Sequence, residues 1–247
     1  MRQEVNRKLN QDPRINYRGK EASRVDNLTD AVFGIAITLL IFNLSNPNSF
    51  NDLITFTKTL PAFLISIAFV ILIWTEHLRF SAIYSMDDSI LLLLNTLFIA
   101  LVIFYVYPLR FMMLFLTNYF FGTNINIKIL GNQVPDLLIY YGLVAFALYF
   151  LMFLFYQRAI HLKEKLALDA YEVIHTRFQK IRLVIMFSVP LVSISLVLAI
   201  RPFSHIWASV IAGNAYWLYY PAMMIYGKKF KKASENFDKD QQVKGHG

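Results

Sequence analysis

The chain has 247 residues, of which 57% are hydrophobic and 16% aromatic, and it carries 24 Lys and Arg against 16 Asp and Glu. This composition, with a mean hydropathy of +0.46, lies outside the range of soluble proteins and predicts an integral membrane protein. The sequence contains no cysteine, which excludes disulfides, thiolate metal sites and thiol nucleophiles.

Residues 1–25 form a polar, basic flank, and the apolar run that follows, residues 26–44, is long enough to cross a membrane as a helix. From Asn27 to Leu44 a helix rises roughly 27 Å, close to the thickness of about 30 Å of a bilayer's hydrocarbon core. Thr38 lies near the middle of this span. At about 100° per residue, one face of the helix holds Leu28, Ala31, Ile35, Thr38, Leu39 and Phe42, and the opposite face holds Asp30, Phe33, Ile37 and Ile41.

Further apolar segments follow, and together with the first they predict an all-α polytopic membrane protein with six transmembrane helices within residues 26–230. These segments are residues 54–77, 89–119, 136–156, 183–200 and 205–226. The third span is longer than a bilayer requires, so we expect a break near Pro108. Residues 157–182 are charged with helical periodicity and are interpreted as a cytosolic connector. Residues 231–247 are polar and predict a cytosolic, disordered tail.

The basic residues are distributed unevenly over the predicted loops. Of the 24 Lys and Arg, the six-span topology places only Lys58, Arg110, Lys128 and Arg201 on the outer side. Cytosolic loops of membrane proteins carry an excess of basic residues, so both termini are predicted to be cytosolic. The lysines of residues 228–232 then adjoin the membrane, where we expect them to bind anionic lipid headgroups and not nucleic acid.

The first span carries a motif that resembles a known family. Residues 24–40 read Arg24-x-x-x-Leu28-Thr29-Asp30-Ala-Val-Phe-Gly-Ile-Ala-Ile-Thr-Leu-Leu. This is similar to the signature of the lysosomal potassium-channel family (transmembrane protein 175), in which Phe and Ser stand at the positions of Leu28 and Thr29. The resemblance continues at Trp74, His77 and Asn95, in the pattern of the prokaryotic members, and covers all six spans.

The resemblance implies a potassium-selective channel, a homotetramer whose central pore is lined by the first helix of each subunit. The signature occurs once in the chain, so a fourfold ring requires four copies. The sequence has no segment like the carbonyl filter of other potassium channels, so selection has to come from side chains. Thr38 is the polar side chain on the pore stripe, and the resemblance implies a permeating K⁺ near it, with no other metal and no cofactor. Ile35, Leu39 and Phe42 are then candidates for a hydrophobic constriction.

The same motif implies a structural polar anchor around the first two helices, at the cytosolic end. Its residues are Arg24, Leu28, Thr29, Asp30, Trp74, His77 and Asn95. A carboxylate at membrane depth normally pairs or lines an aqueous path, and Asp30 points away from the proposed pore stripe. We expect Asp30 to be structural. His77 could also sense protons, because its unperturbed pKa lies near 6.5.

Two readings without a channel stay open, while an enzyme is disfavoured. The sequence has no Gly-x-Ser-x-Gly or His-Glu-x-x-His motif and no histidines at metal-ligand spacing. Pro61, Pro108, Pro190 and Pro221 could mark the broken helices of a secondary transporter, although no inverted repeat is visible. A membrane scaffold without transport is compatible with the composition alone. The resemblance favours a channel in a prokaryotic plasma membrane.

Overall fold

The computed structural model describes residues 12–19, 21, 23–42, 48–86, 88–123, 127 and 129–245. Within these ranges every regular element is an α-helix or a short 3-10 helix, so the predicted all-α fold is confirmed. The helices form two compact units. One unit comprises residues 19–129, and the other comprises residues 130–247 together with the chain up to Arg18.

The unit of residues 19–129 is built around the packing of three helices. It contains α1 (Arg24–Phe42), α2 (Phe50–Thr57), α3 (Leu60–Tyr84) and α4 (Ser89–Phe121), and α1 packs against both α3 and α4. Pro61 lies in the first turn of α3, where a missing N–H costs nothing, so it marks a helix start. Gly122 ends α4 at φ 58°, a left-handed conformation that glycine adopts without a steric penalty.

The unit that contains residues 130–247 is built on a long pair of antiparallel helices. It has a 3-10 turn (Gly131–Gln133), α5 (Val134–His161), α6 (Ala170–Ile200), α7 (His205–Asn214), a second 3-10 turn (Ala215–Leu218) and α8 (Tyr219–Gly245). A Cβ added at Gly142 would lie 3.0 Å from Ile194 Cγ1, so the glycine allows α5 and α6 to approach closely. The hydroxyl of Ser193 donates to the carbonyl of Ala212 over 2.9 Å and joins α6 to α7.

Four segments of the described chain are long and apolar enough to cross a membrane. They are Leu60–Tyr84, Ser89–Phe121, Gly131–His161 and Ala170–Ile200. Helix α1 and the α7–α8 segment are not among them, so the count of six transmembrane helices stays a prediction. The length and apolar composition of these helices indicate an integral membrane protein.

Several element boundaries differ from those that the sequence predicts. Helix α4 runs through Pro108 without a break, because proline removes only one hydrogen bond and the flanking turns stay helical. Helix α6 begins at Ala170, within the connector of helical periodicity, and continues through the span predicted from residue 183; Asp169 and Glu172 form a capping box at its start. The sixth predicted span is interrupted by the 3-10 turn at Ala215–Leu218.

The predicted disordered tail is also helical through Gly245, because it packs against the rest of its unit. The rings of Phe237 and Tyr171 lie 5.4 Å apart. Arg14 bonds Asp238 at 2.9 Å, and its guanidinium lies 4.1 Å from the centre of the Tyr171 ring. Arg14 also bonds Asp12 and holds the pKa of that carboxyl well below its usual value, so the carboxylate stays charged at neutral pH. The polar composition of the tail predicts disorder because composition carries no information about contacts with distant residues.

Candidate functional site

Helix α1 has one face packed against its own chain. Thr29 and Ala36 are fully buried, and Phe33 and Leu40 are 3% and 1% exposed. The spacing of these residues by three or four is that of a single helical stripe. The packed stripe does not coincide with the face predicted to lie opposite the pore stripe, because Ile41 of that face is 49% exposed.

The other face of α1 is not covered by the chain. Leu28 and Ile35 are each 53% exposed, Ala31 and Thr38 are exposed, and Leu39 is half-buried. Phe42 is the last residue of α1, and its side chain lies outside the described part of the structure. The predicted pore stripe is therefore a real, largely apolar surface of the single chain that presents one hydroxyl.

The hydroxyl of Thr38 donates to the carbonyl of Ile35 in the same helix over 2.7 Å. A threonine hydroxyl has one proton and two acceptor lone pairs. Since the proton is engaged by the Ile35 carbonyl, the exposed residue can offer its oxygen to other partners only as an acceptor. This arrangement presents an oxygen acceptor where a cation could approach.

Behind the exposed face, a chain of hydrogen bonds joins three helices, and each side chain in it donates to the next. His77 Nε2 donates to Asn95 Oδ1 over 2.9 Å, because an amide oxygen can only accept. Asn95 Nδ2 donates to Thr29 Oγ1 over 2.8 Å, and that hydroxyl donates to the carbonyl of Val25 over 2.8 Å. The chain thus runs from α3 through α4 to the backbone of α1. All three side chains are buried, and His77 also stacks on Phe98 at 5.4 Å.

Asp30 of α1 lies next to this chain of hydrogen bonds and makes a separate contact with α3. Trp74 Nε1 donates to Asp30 Oδ1 over 2.9 Å, which joins α1 to α3. Both residues line a groove of about 360 Å³ between the two helices, together with Gly34 and Val70. The predicted anchor residues Thr29, Asp30, Trp74, His77 and Asn95 are therefore brought together. The side chains of the other two predicted anchor residues, Arg24 and Leu28, are exposed.

Sequence reasoning missed a second polar connection at the start of α1. Asp26 is buried and accepts hydrogen bonds from the Ser23 backbone N–H and from the hydroxyl of Ser81 in α3. The Ser23 hydroxyl in turn accepts from the Asp26 N–H over 3.1 Å. A Ser-x-x-Asp pattern before an apolar run is a known helix-start signal, and it could have identified the Ser23 contact but not Ser81.

In the part of the chain that the structure describes, no group of three or more His, Asp or Glu side chains could hold a metal ion. On the predicted pore stripe of α1, the exposed side-chain oxygen is the neutral hydroxyl of Thr38, and the backbone carbonyls are committed to helical hydrogen bonds. The ligand that this stripe could offer a cation is therefore a neutral hydroxyl and not a charged group.

Comparisons with known proteins point in one direction. The model of a family described as endosomal/lysosomal potassium channel TMEM175 matches residues 24–105. A potassium channel of Marivirga tractuosa is 33% identical over 237 residues, which is 93% of this chain and 96% of that protein. A potassium channel of Chamaesiphon minutus is 29% identical over 96 residues, covering 36% of this chain and 47% of that protein.

A solved structure also matches the fold over most of the chain. It is the crystal structure of a variant of the potassium channel MtTMEM175 in complex with a nanobody–MBP fusion protein. The two chains superpose with a TM-score of 0.81 at 33% sequence identity, and the match covers 90% of this chain and 99% of the other.

Proposed function

The chain belongs to the endosomal/lysosomal potassium channel TMEM175 family, as a prokaryotic member, and we propose that four copies assemble around a central K⁺ pore lined by α1. As a potassium channel of this family it is a membrane protein and not an enzyme.

The observation that carries the proposal is the uncovered face of α1. Helix α1 is packed through Thr29, Phe33 and Leu40, yet Leu28 and Ile35 on its other face are half exposed in the single chain. Four such faces around one axis form a continuous apolar lining that presents four hydroxyls at Thr38. Because the signature helix occurs once per chain, fourfold symmetry supplies the other three.

Ile35 forms the main constriction of this pore. Its β-branched side chain has few rotamers in a helix, so four copies make a stiff apolar ring. Ions cross such a ring only by giving up water, which makes it a gate as well as a barrier. Leu39 and Phe42, one and two turns further along α1, are the next candidates for the same role.

Thr38 supplies the selectivity. Its proton is engaged by the Ile35 carbonyl, so four sets of oxygen lone pairs are available to a permeating K⁺. Neutral hydroxyl ligands replace only part of an ion's hydration shell, and K⁺ gives up its water more readily than Na⁺. The ring therefore favours K⁺ without binding it tightly.

The polar network holds α1 in the orientation that the pore requires. Hydrogen bonds from Asn95 and Trp74 reach Thr29 and Asp30, on the side of α1 away from the uncovered face. This network gives α1 a defined rotation about its axis, which decides that Thr38 and not Ile37 faces the pore. Arg24, at the first residue of α1, completes the family motif at the membrane surface.

The protein acts in a prokaryotic plasma membrane with both termini in the cytosol, as the distribution of its basic residues supports. A reporter that functions only in the cytosol is expected to be active when it is fused to the C-terminus. Activity of a periplasmic reporter at that position would contradict the topology.

The experiment that tests the proposal measures reversal potentials in planar bilayers under opposed K⁺ and Na⁺ gradients. Thr38→Ala is expected to conduct with a K⁺ over Na⁺ preference that falls toward the ratio of ion mobilities in water, and Thr38→Ser to keep most of the preference. Thr96→Ala is the matched control, since Thr96 is an exposed threonine of α4 that also donates to its own helix, at 2.9 Å.

Three results would overturn the assignment. An unchanged reversal potential in Thr38→Ala means that the hydroxyl serves only its own helix. Saturable coupled flux without unitary current steps indicates a secondary transporter, and the absence of any flux indicates a scaffold.

A further inference from the structure

An open groove outside the candidate pore lies along the start of α8. It has a volume of about 480 Å³ and is lined by Tyr216, Trp217, Tyr219, Tyr220, Met223 and Met224. Its walls are not covered by the chain, since Trp217 and Tyr220 are 76% and 71% exposed. In a membrane protein such a wide aromatic and thioether surface is suited to hydrocarbon.

The groove ends at a row of lysines on the same face of α8. Tyr220, Met224 and Lys228 are spaced by four residues, and Lys231 follows three residues later. This spacing places all four on one stripe of the helix. Lys228 and Lys231 are exposed, and Lys231 has only a long contact of 3.9 Å with an exposed glutamate. The stripe thus changes from apolar to basic within about 12 Å along the helix axis.

Contacts to α6 show that this change occurs at the membrane boundary. The hydroxyl of Tyr219 donates to the carbonyl of Met186 over 2.7 Å, within the apolar part of α6. Phe230 lies 5.2 Å from Phe178, within the charged part of α6 that precedes residue 183. The boundary between hydrocarbon and water therefore falls between Tyr219 and Phe230, so Lys228 lies at headgroup depth.

We infer that this stripe is a binding site for one anionic phospholipid, with an acyl chain in the groove and the phosphate on Lys228 and Lys231. The occupant has to be apolar over the length of the groove and negatively charged at one end, and an anionic lipid combines the two at the matching depth. The exposed lysines at the end of the groove require a negatively charged partner, which the headgroup of an anionic lipid supplies. Charge complementarity thus favours the lipid.

The test titrates the delipidated, full-length channel with phosphatidylglycerol and with phosphatidylcholine and counts bound lipids by native mass spectrometry. Phosphatidylglycerol is expected to bind more tightly. Lys228→Ala combined with Lys231→Ala is expected to weaken the binding of phosphatidylglycerol by about 30-fold, because each lysine near anionic headgroups contributes to binding. The binding of phosphatidylcholine is expected to stay unchanged. The control is Lys229→Ala combined with Lys239→Ala, which removes the same charge from another face and from a site further along α8.

A second pair of variants tests the groove without changing charge. Trp217→Ala is expected to weaken the binding of both lipids, whereas Trp207→Ala is not, because Trp207 is an exposed tryptophan of α7 outside the groove. Equal binding of the two lipids by the unmodified channel, or equal losses in the lysine variants and their control, would overturn the inference. Loss of the oligomer in Trp217→Ala with unchanged lipid binding would also overturn it and identify the groove as a subunit contact.

Discussion

Replacing Asn95 by leucine removes the central member of the hydrogen-bonded chain while keeping the shape of the side chain. Asn95 is 2% exposed and bonds His77 of α3 and Thr29 of α1. Leucine has the same branching pattern as asparagine, so the change opens no cavity. The experiment therefore measures the two polar contacts and little else.

The structure sets the size of the expected effect. Both contacts join different helices, and interhelical hydrogen bonds in membrane proteins contribute about 0.6 kcal/mol on average and at most about 1.7 kcal/mol. Two of them give an expected loss of about 1–3 kcal/mol in the free energy of unfolding. The loss at Thr29 is the smaller part, because its hydroxyl still donates to the Val25 carbonyl over 2.8 Å in the variant.

A double-mutant cycle isolates the contact between Asn95 and Thr29. Thr29→Val is isosteric and removes the acceptor, and the coupling energy between Asn95→Leu and Thr29→Val is expected to be about 0.6–1.7 kcal/mol. The measurement is reversible unfolding of the purified protein in mixed micelles with increasing sodium dodecyl sulfate. Thr96→Val on the exposed side of α4 is the control and is expected to change stability by less than about 0.5 kcal/mol. A coupling energy of zero would show that the two side chains do not bond, and the network would not hold α1.

Further variants test the pore, the Asp30 contact and the N-terminal segment. Ile35→Ala is expected to raise single-channel conductance and the passage of caesium; unchanged currents would place the constriction elsewhere. Asp30→Ala is expected to weaken assembly, measured by light scattering of the purified oligomer, before it alters selectivity. Trp74→Phe is expected to weaken assembly less, because an aromatic ring is kept at this position. A stable Asp30→Ala oligomer with normal current would contradict a structural role. Arg18→Met removes the guanidinium that bonds Glu172 at 2.7 Å. The free energy of unfolding is expected to fall by about 3 kcal/mol, the low end for a broken buried ion pair, because two backbone N–H groups still bond the carboxylate. No loss of stability in that variant would mean that the pair is dispensable.

Properties that depend on neighbouring residues along the chain could be predicted from the sequence. The apolar composition identifies a membrane protein, and the helical period of α1 alone places Ile35 and Thr38 on one face, which is exposed in the structure. The motif that begins at Arg24 was sufficient to identify the family, which the comparisons confirm. These predictions succeed because helical geometry links residues three or four apart whatever the rest of the chain does.

The tertiary structure decided which distant side chains meet. Asn95 lies 66 residues from Thr29, and the buried Asp26 lies 55 residues from Ser81, so no local period connects them. The rotation of α1 that buries Leu40 and leaves Ile41 exposed likewise depends on its packing against α3 and α4. Polarity alone predicts disorder for residues 231–247, whereas the structure is helical through Gly245, with Ser234 bonded to Arg14 and Phe237 in contact with Tyr171 of α6. Burial and hydrogen bonding between segments are collective properties of the fold, and they decide orientation where local propensity is indifferent.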